Sequence, residues 1–134
     1  SLWDLSSLIE LDLNNNQLAE IPQTINGLSS IENINLSNNI LVSLPANIGS
    51  LSFINSLNIS NNAITGLPDE LWTLNSLDIL NLNNNNLSTL SENTCDIYGS
   101  TLSTLNLENN CILENTPSCL SGYDWSSQAA DNCE

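Results

Sequence analysis

The chain has 134 residues and a formal net charge of −15, because it contains fifteen Asp and Glu residues and no Lys, Arg or His. Nucleic acids and anionic membranes bind proteins through cationic side chains, so this composition argues against both as partners. It also argues against an enzyme, because a Ser or Cys nucleophile would lack an ordinary base and an oxyanion would lack a cationic partner.

A pattern of apolar residues recurs every 23 residues along most of the chain. Copies begin at Leu8, Ile31, Ile54 and Leu77, and a fifth begins at Leu102. In each copy a Leu-x-x-Leu-x-Leu segment alternates with period two, which predicts a short strand with one buried face. The later apolar residues follow spacings of four and three, which indicate one or two helical turns. A period of this length is typical of stacked repeat proteins, whose units bury their apolar faces against their neighbours.

The chain opens in a partial repeat, residues 1–7, because Leu2 and Leu5 lie 23 residues before Ile25 and Leu28. A stack of repeats needs a polar terminal unit to cover its first repeat. We therefore expect this sequence to be part of a larger surface protein. If the chain stands alone, Leu2, Trp3 and Leu5 are the candidates for self-association with another copy.

Proline and asparagine mark fixed places in the repeats. Pro22, Pro45 and Pro68 precede the helical spacing, and we predict them at the first helical position, where a missing N–H is tolerated. An Asn follows each predicted strand at the same place, and this Asn ladder consists of Asn16, Asn39, Asn62, Asn85 and Asn110. An amide both donates and accepts, so each Asn is expected to bond free backbone groups of its own and the adjacent repeat.

This pattern, LIELDLNNNQLAEIPQTINGLSS in its first copy, resembles the leucine-rich repeat family, whose consensus is LxxLxLxxNxLxxLPxxLxxLxx. The resemblance extends from Leu2 to about Leu120. It implies an α/β solenoid, a right-handed superhelix with a parallel sheet on its concave side and short helices or turns on its convex side. Residues 1–120 would then form the repeats, and residues 121–134 a disulfide-closed C-terminal cap similar to the DW-containing tails of some bacterial surface proteins of this family.

All four cysteines lie in the last third of the chain. Cys95 and Cys119 occupy nearly equal places in the fourth and fifth repeats, so adjacent convex turns would bring them to the ~5.5–6 Å Cα separation of a disulfide. Cys111 would then pair with Cys133. A zinc site is the alternative, although the chain contains no Cys-x-x-Cys pair and no His. Two disulfides would indicate an oxidising compartment, and hence an extracellular or cell-surface location.

Two further expectations concern the fourth repeat and the tail. The segment SENTCDIYGST after Leu90 lengthens the fourth repeat by two residues. The repeat pattern stops after Leu120, and Tyr123 and Trp125 are the apolar residues of the tail that we expect over the open end of the core.

The polar residues of the predicted strands form columns on the concave face. They are the candidate ligand-binding residues, namely Asp12, Asn14, Asn35, Ser37, Asn58, Ser60, Asn81, Asn83, Asn106 and Glu108. This surface lacks the aromatic and Arg anchors typical of protein interfaces. A repetitive array of amides and hydroxyls favours a repetitive polar ligand such as a polysaccharide, or a second copy of the protein. The alternative is that these residues only keep the face soluble and bond laterally as ladders.

A metal ion and glycans are two groups that this face could carry. Glu10, Asp12 and Glu32 lie close together at its N-terminal end and form a candidate Ca²⁺ site, without an acidic loop motif and with no other cofactor expected. Asn35, Asn58 and Asn86 begin Asn-x-Ser sequons. In a eukaryote, glycans on the first two would occupy the concave face.

The sequence therefore predicts a non-catalytic extracellular recognition or adhesion module that binds a protein or polysaccharide partner. One alternative is a structural subunit of an extracellular filament or matrix, assembled by self-association. Another is a protein that binds ice or a mineral surface through its Asn and Ser ladders.

Overall fold

The computed structural model describes residues 1–128 and Cys133. Its strands are β1 (Glu10–Asp12), β2 (Asn33–Asn35), β3 (Ser56–Asn58), β4 (Ile79–Asn81) and β5 (Thr104–Asn106). They form one parallel sheet in sequence order. Paired residues of β1 to β4 are 23 apart, whereas Ile79 of β4 pairs with Thr104, 25 residues on. The predicted parallel solenoid is confirmed, and the loop between β4 and β5 takes up the two extra residues.

The convex side is built from short 3-10 helices. The helices of the described residues are Leu2–Asp4, Gln23–Gly27, Ala46–Ser50, Asp69–Thr73, Glu92–Asp96, Ser118–Leu120 and Trp125–Ser127. Pro22, Pro45 and Pro68 have extended backbone, with ψ between 144° and 157°, and lie one residue before their helices. Their predicted place at the first helical position is therefore wrong by one residue. The chain is still extended there, and each Pro carbonyl accepts the N–H three residues on.

One apolar core lies between the sheet and the helices. Ile34 and Leu57 enter it from the strands, and Ile48 and Leu71 enter it from the convex turns, with at most 2% of their surface exposed. Trp72 fills the convex side at the third full repeat and is 1% exposed. No helix of residues 1–128 has the length and hydropathy needed to cross a lipid bilayer.

The Asn ladder joins neighbouring repeats as its spacing predicted. In the fourth repeat, Asn85 donates from Nδ2 to the carbonyls of Ile59 and Leu82 and accepts the N–H of Ile64 at Oδ1, each at 3.0 Å. Asn39, Asn62 and Asn110 make the corresponding bonds. Asn16 is exposed, and its amide bonds only to carbonyls of its own turn. Each buried Asn therefore fastens its repeat to the preceding one.

A second Asn column has a different cause. The residue before each ladder Asn has φ between 53° and 56°, and these residues are Asn15, Asn38, Asn61, Asn84 and Asn109. This left-handed conformation costs most residues roughly 1–2 kcal/mol, and Asn is among the few that adopt it readily. Backbone geometry therefore explains why this column is Asn in all five repeats.

Both expected disulfides are present. The Cα atoms are 5.5 Å apart in Cys95–Cys119 and 5.3 Å apart in Cys111–Cys133. All four cysteines are used, so the zinc alternative is wrong. Beside the first disulfide, Ser118 donates its N–H and hydroxyl to the Glu92 carboxylate. These bonds, the hydroxyl foremost, hold the pKa of Glu92 below its ordinary value.

The C-terminal tail reproduces the bonds of a further repeat. In earlier repeats the N–H just after a strand, such as that of Leu82, donates to a carbonyl of the next strand, whereas Leu107 donates to the Tyr123 hydroxyl at 2.8 Å. Gln128 accepts the Ile112 N–H at 3.0 Å and donates to the Leu107 carbonyl at 2.9 Å. These are the two bonds that a ladder Asn makes to the preceding repeat. Gln128 thus acts as a sixth ladder residue.

The remaining cap contacts complete this edge. Asn109 donates its N–H to the Ser127 carbonyl at 2.8 Å, as the equivalent residue of each earlier repeat donates to the next one. Tyr123 and Trp125 are partly buried against the core, and their ring centroids are 4.7 Å apart. Of the predicted cap, residues 129–132 and residue 134 lie outside the described residues. Residues 121–128 therefore cover the turn that follows β5.

Gly49→Ala is expected to lower the free energy of unfolding by about 1–3 kcal/mol, because overpacking forces backbone shifts. An added Cβ would lie 2.7 Å from both the Cβ and the carbonyl oxygen of Glu70. Gly66 has no atom within 4 Å of such a Cβ, so Gly66→Ala should be neutral or stabilise by up to about 1 kcal/mol. Urea denaturation compares the two, and equal effects would contradict the close approach.

Alkaline pH is expected to weaken the cap. Burial raises the pKa of the Tyr123 hydroxyl above its ordinary value of 10.0, although the Leu107 N–H bond acts in the opposite direction. The unfolded chain therefore loses this proton first, and the stability it contributes is complete below pH 10 and lost as pH rises through the folded-state pKa. Unfolding free energy measured at increasing pH should fall more steeply for wild type than for Tyr123→Phe. If the unfolding free energies of wild type and Tyr123→Phe fall equally with pH, the Tyr123 hydroxyl is not the group responsible.

Candidate binding surface

The concave face carries a shallow depression of about 310 Å³ across β1 to β4. Its lining residues are Glu10, Leu11, Asp12, Asn33, Ile34, Asn35, Ser56, Asn58 and Asn81. The side chains come from successive strands in register, so equivalent residues stand side by side at the ~4.8 Å spacing of paired strands. The surface is thus a row of polar groups with carboxylates at one end.

Two amides of this row, those of Asn35 and Asn58, are held in fixed orientations. Oδ1 of Asn35 accepts the N–H of Ser37 at 3.1 Å and its hydroxyl at 2.7 Å. Oδ1 of Asn58 does the same with Ser60, at 3.0 and 2.7 Å. In the described structure, the Nδ2 groups of Asn35 and Asn58 have no intramolecular acceptor, so they remain as donors for a ligand.

The placement of Ser37 and Ser60 on the exposed face was wrong. Each is only 6% exposed, and its hydroxyl is used inside its own repeat. The prediction continued the alternation of a strand beyond its end. The strands are three residues long, and the chain turns inward immediately after Asn35 and Asn58.

The other predicted residues have varied surroundings. Asp12 accepts from the N–H and Nδ2 of Asn14 at 3.0 and 2.5 Å, and Asn106 accepts the N–H of exposed Glu108 at 3.0 Å. Asn81 and Asn83 are half-buried. Within the described concave columns, the lateral side-chain bond is the one from Asn109 to Asn84, at 3.0 Å. The expected lateral ladders are therefore largely replaced by bonds inside each repeat.

The acidic end does not converge on a metal. Glu10 and Asp12 line the depression, and Glu32 is exposed just before β2. No three His, Cys, Asp or Glu side chains of residues 1–128 and Cys133 form a group able to hold an ion. The candidate Ca²⁺ site at Glu10, Asp12 and Glu32 therefore has no converging ligand group among the described residues, and Ca²⁺ binding there stays a prediction. Their carboxylates are separate charges on one surface.

The three sequons face different surroundings. Asn35 and Asn58 are half-buried on the concave face, with their side-chain oxygens bonded to the Ser of their own sequons. Asn86 is exposed and lies after β4, outside the concave face. A glycan on Asn86 would leave the depression accessible, whereas glycans on the other two would cover it.

The large exposed apolar residues lie beside the concave face rather than on it. Phe53 and Ile9 precede β3 and β1 and are 61% and 45% exposed. A second group follows the strands, and consists of Ile40, Val42 and Leu113. Neither group is predictable from the repeat pattern, because single apolar residues outside it give no periodic signal.

The predicted self-association residues differ in exposure. Leu2 and Trp3 are partly buried against the core, where their helix packs on the helix Gln23–Gly27. Leu5 is 48% exposed.

Comparison with known proteins agrees with this architecture. A family model described as Leucine Rich Repeat matches residues 7–28, 53–74 and 101–123, together half of the chain. A leucine-rich repeat protein of Leptospira interrogans is 36% identical, with a TM-score of 0.77 over 81% of this chain. An internalin of Listeria monocytogenes is 28% identical, with a TM-score of 0.71 over 81%. The BIR3–SERK2 complex of Arabidopsis thaliana contains a chain that is 28% identical, with a TM-score of 0.79 over 91%.

These structures are longer than the present chain. It covers 27% of the Leptospira chain, 30% of the internalin chain and 66% of the Arabidopsis chain. No curated protein sequence gives a significant match.

Proposed function

Because this chain belongs to the leucine-rich repeat family, we propose that it is a non-catalytic extracellular recognition or adhesion module. Its partner, a protein or polysaccharide, binds on the concave face. The observation that carries this proposal is the pair of oriented amides of Asn35 and Asn58 in the depression, whose oxygens are bonded within their own repeats and whose N–H groups have no acceptor in the described structure. Two disulfides are consistent with a secreted or cell-surface protein.

The fixed amides favour binding over chemistry. A preorganised donor loses little conformational freedom when a ligand carbonyl or hydroxyl accepts from it. The chain has no Lys, Arg or His to activate a nucleophile or stabilise an oxyanion. A protein partner is further supported by the structural neighbour from a complex of two proteins, BIR3 and SERK2. Recognition through this sheet face is therefore the function that the geometry supports best.

A bulky residue in the depression tests the proposal. Ser56 is half-buried there and makes no side-chain hydrogen bond within the described structure, and Trp is favoured in strands, so Ser56→Trp should fold. Thr24→Trp places the same side chain on an exposed convex helix as the matched control. Extracellular proteins and glycan arrays are screened with wild type, and hits are repeated with both variants. Partners whose affinity is unchanged by Ser56→Trp, or a screen that yields no partner, would contradict the proposal.

The filament alternative has less support. End-to-end stacking would require a further strand beside β5, and just after β5 Tyr123, Ser127 and Gln128 already accept the N–H groups of the residues that a further repeat would bond. Sedimentation measures the assembly state, and polymer formation would favour the alternative. The ice or mineral alternative also has less support, because Ser37 and Ser60 are buried and cannot belong to an exposed array. A measurement of thermal hysteresis tests whether the remaining Asn residues bind ice.

A further inference from the structure

We propose that the partner of the concave face is a cationic polypeptide, which binds across β1 to β3 and over Phe53. This inference rests on the proposed function and specifies its partner. It rests on three features: the uncompensated carboxylates of Glu10, Asp12 and Glu32, the oriented donors of the depression, and the exposed ring of Phe53 in the loop before β3.

The carboxylates have no cationic partner in the chain. The chain contains no Lys, Arg or His, and the ion pair found in the described structure joins the amino terminus to Asp4. Glu10 and Asp12 line a depression whose walls are the concave sheet. Concave surfaces of one sign concentrate the potential and attract oppositely charged partners. A cationic group that docks there displaces no existing salt bridge.

Phe53 supplies the anchor that the concave face itself lacks. It is 61% exposed, and the equivalent residues of the neighbouring repeats are Ser30 and Ser76. Two residues later, Asn55 donates its N–H to the Glu32 carbonyl at 2.7 Å, so the Phe53 loop runs beside the Glu32 loop. A Lys or Arg side chain of the partner can stack on such an exposed ring, and further cationic side chains can meet the carboxylates of the preceding repeats.

The donors of the depression distinguish a polypeptide from a simple cation. The Nδ2 groups of Asn35 and Asn58 require acceptors, which a peptide backbone supplies as carbonyl oxygens. The carboxylates do not converge as a metal site would require. Cationic groups at one end of an extended chain would meet the carboxylates of the first two repeats, while its backbone carbonyls reach the amides of β2 and β3.

Charge-neutralising variants test this surface against a matched control. The triple variant Glu10→Gln, Asp12→Asn and Glu32→Gln removes three charges from the proposed site. The control triple, Asp69→Asn, Glu70→Gln and Asp96→Asn, removes three exposed charges from the convex helices. The probe is a labelled synthetic oligolysine peptide, titrated by fluorescence anisotropy at low and physiological salt.

The site triple should weaken oligolysine binding about tenfold, as expected for three exposed ion pairs, and the control triple only about twofold. Phe53→Ser, which copies the neighbouring repeats, should weaken it about twofold to fivefold. Equal losses in both triples would show attraction to net charge alone and overturn the proposal. No loss in either triple, or tighter binding of chitosan oligomers than of oligolysine, would also overturn it.

The same variants separate this inference from the proposed function. A partner that is blocked by Ser56→Trp but unaffected by the site triple would leave recognition on the concave face intact and refute the cationic polypeptide. Partners unaffected by Ser56→Trp would refute the recognition surface, whatever the oligolysine titration shows.

Discussion

Asn85→Ala is expected to lower the free energy of unfolding by about 3 kcal/mol, one of the largest effects available from a single polar residue in this chain. Asn85 is 4% exposed and bonds three backbone groups of two repeats. The Ile64 N–H has no other acceptor in the described structure, and an unpaired buried donor costs roughly 1–3 kcal/mol. The two donated bonds add roughly 0.5–1.5 kcal/mol each.

The carbonyl side of the ladder limits this loss. The Ile59 carbonyl also accepts from Asn62 at 3.1 Å, and the Leu82 carbonyl also accepts from Asn110 at 2.9 Å. Neither carbonyl is left without a donor when Asn85 is replaced. The cost is therefore expected to arise mainly at the single N–H, and amide hydrogen exchange should show lost protection there.

Asn16→Ala is the matched control. Asn16 is exposed and bonds only to carbonyls of its own turn, so its replacement should cost less than about 1 kcal/mol. Urea denaturation of both variants gives the comparison. Equal losses would mean that the ladder acts through turn conformation and not through bonds between repeats.

The parts of the fold that the sequence could predict are those that follow from the repeat spacing. The register of every strand pair follows from the 23-residue spacing, because stacked repeats place equivalent residues side by side. The two-residue insertion before β5 was equally visible, since it changes the spacing between Ile79 and Thr104. Near-equal places in adjacent repeats likewise predicted the pairing of Cys95 with Cys119. Each of these features depends on translation from repeat to repeat.

Features that depend on dihedral angles were harder to predict. Asn38 and Asn39 are adjacent and identical, yet one adopts φ 56° and the other is buried as the ladder residue. Ser37 was placed on the exposed face because alternation was extended past the last strand residue. Its hydroxyl instead bonds Asn35 within the same repeat. The periodicity of the sequence does not show where a strand ends and the chain turns.

The candidate surface was predicted only in part. Asp12, Asn35 and Asn58 do line the depression, since alternation correctly assigned the strand residues themselves. Phe53 lies outside the strands, and the equivalent residues of the adjacent repeats are Ser. Phe53 is therefore absent from a prediction based on residues that recur in every repeat. A residue that breaks a repeat without serving the core is a useful signal of function.

The role of Gln128 as a sixth ladder residue could not be predicted from the repeat pattern either. This Gln occurs once, after the repeats have ended, and its extra methylene lets it reach the two groups that a ladder Asn would bond. Nothing in a single sequence aligns a Gln of the tail with an Asn column. Its role became visible only from the identity of its partners, Ile112 and Leu107.

This capping role leads to a prediction for the two disulfides. They close loops of nearly equal length, with sequence separations of 24 and 22, so chain entropy predicts a loss of about 3.5 kcal/mol for removing either one. Cys95–Cys119 joins two convex turns that are also held by the bonds between Glu92 and Ser118. Removing it should leave the bonds of the tail to Leu107, Asn109 and Ile112 in place.

Cys111–Cys133 instead fastens the chain that follows Gln128. The double variant Cys111→Ser with Cys133→Ser should therefore cost about 1–3 kcal/mol more than Cys95→Ser with Cys119→Ser, because release of the tail leaves edge N–H groups without protein acceptors. Hydrogen exchange should increase at the amides of Leu107, Asn109 and Ile112, which the tail otherwise covers.

Because the two disulfides close loops of almost the same length, the entropic cost of losing the cross-link is nearly equal in both variants. A difference in their unfolding free energies therefore measures the contribution of the cap. Equal costs with unchanged exchange at these amides would show that the cap holds the edge without its disulfide. A larger cost together with faster exchange would show that the disulfide keeps the sixth ladder residue in place. The open edge would then also be free to pair with strands of other chains, so the same variant should aggregate more readily, as measured by light scattering.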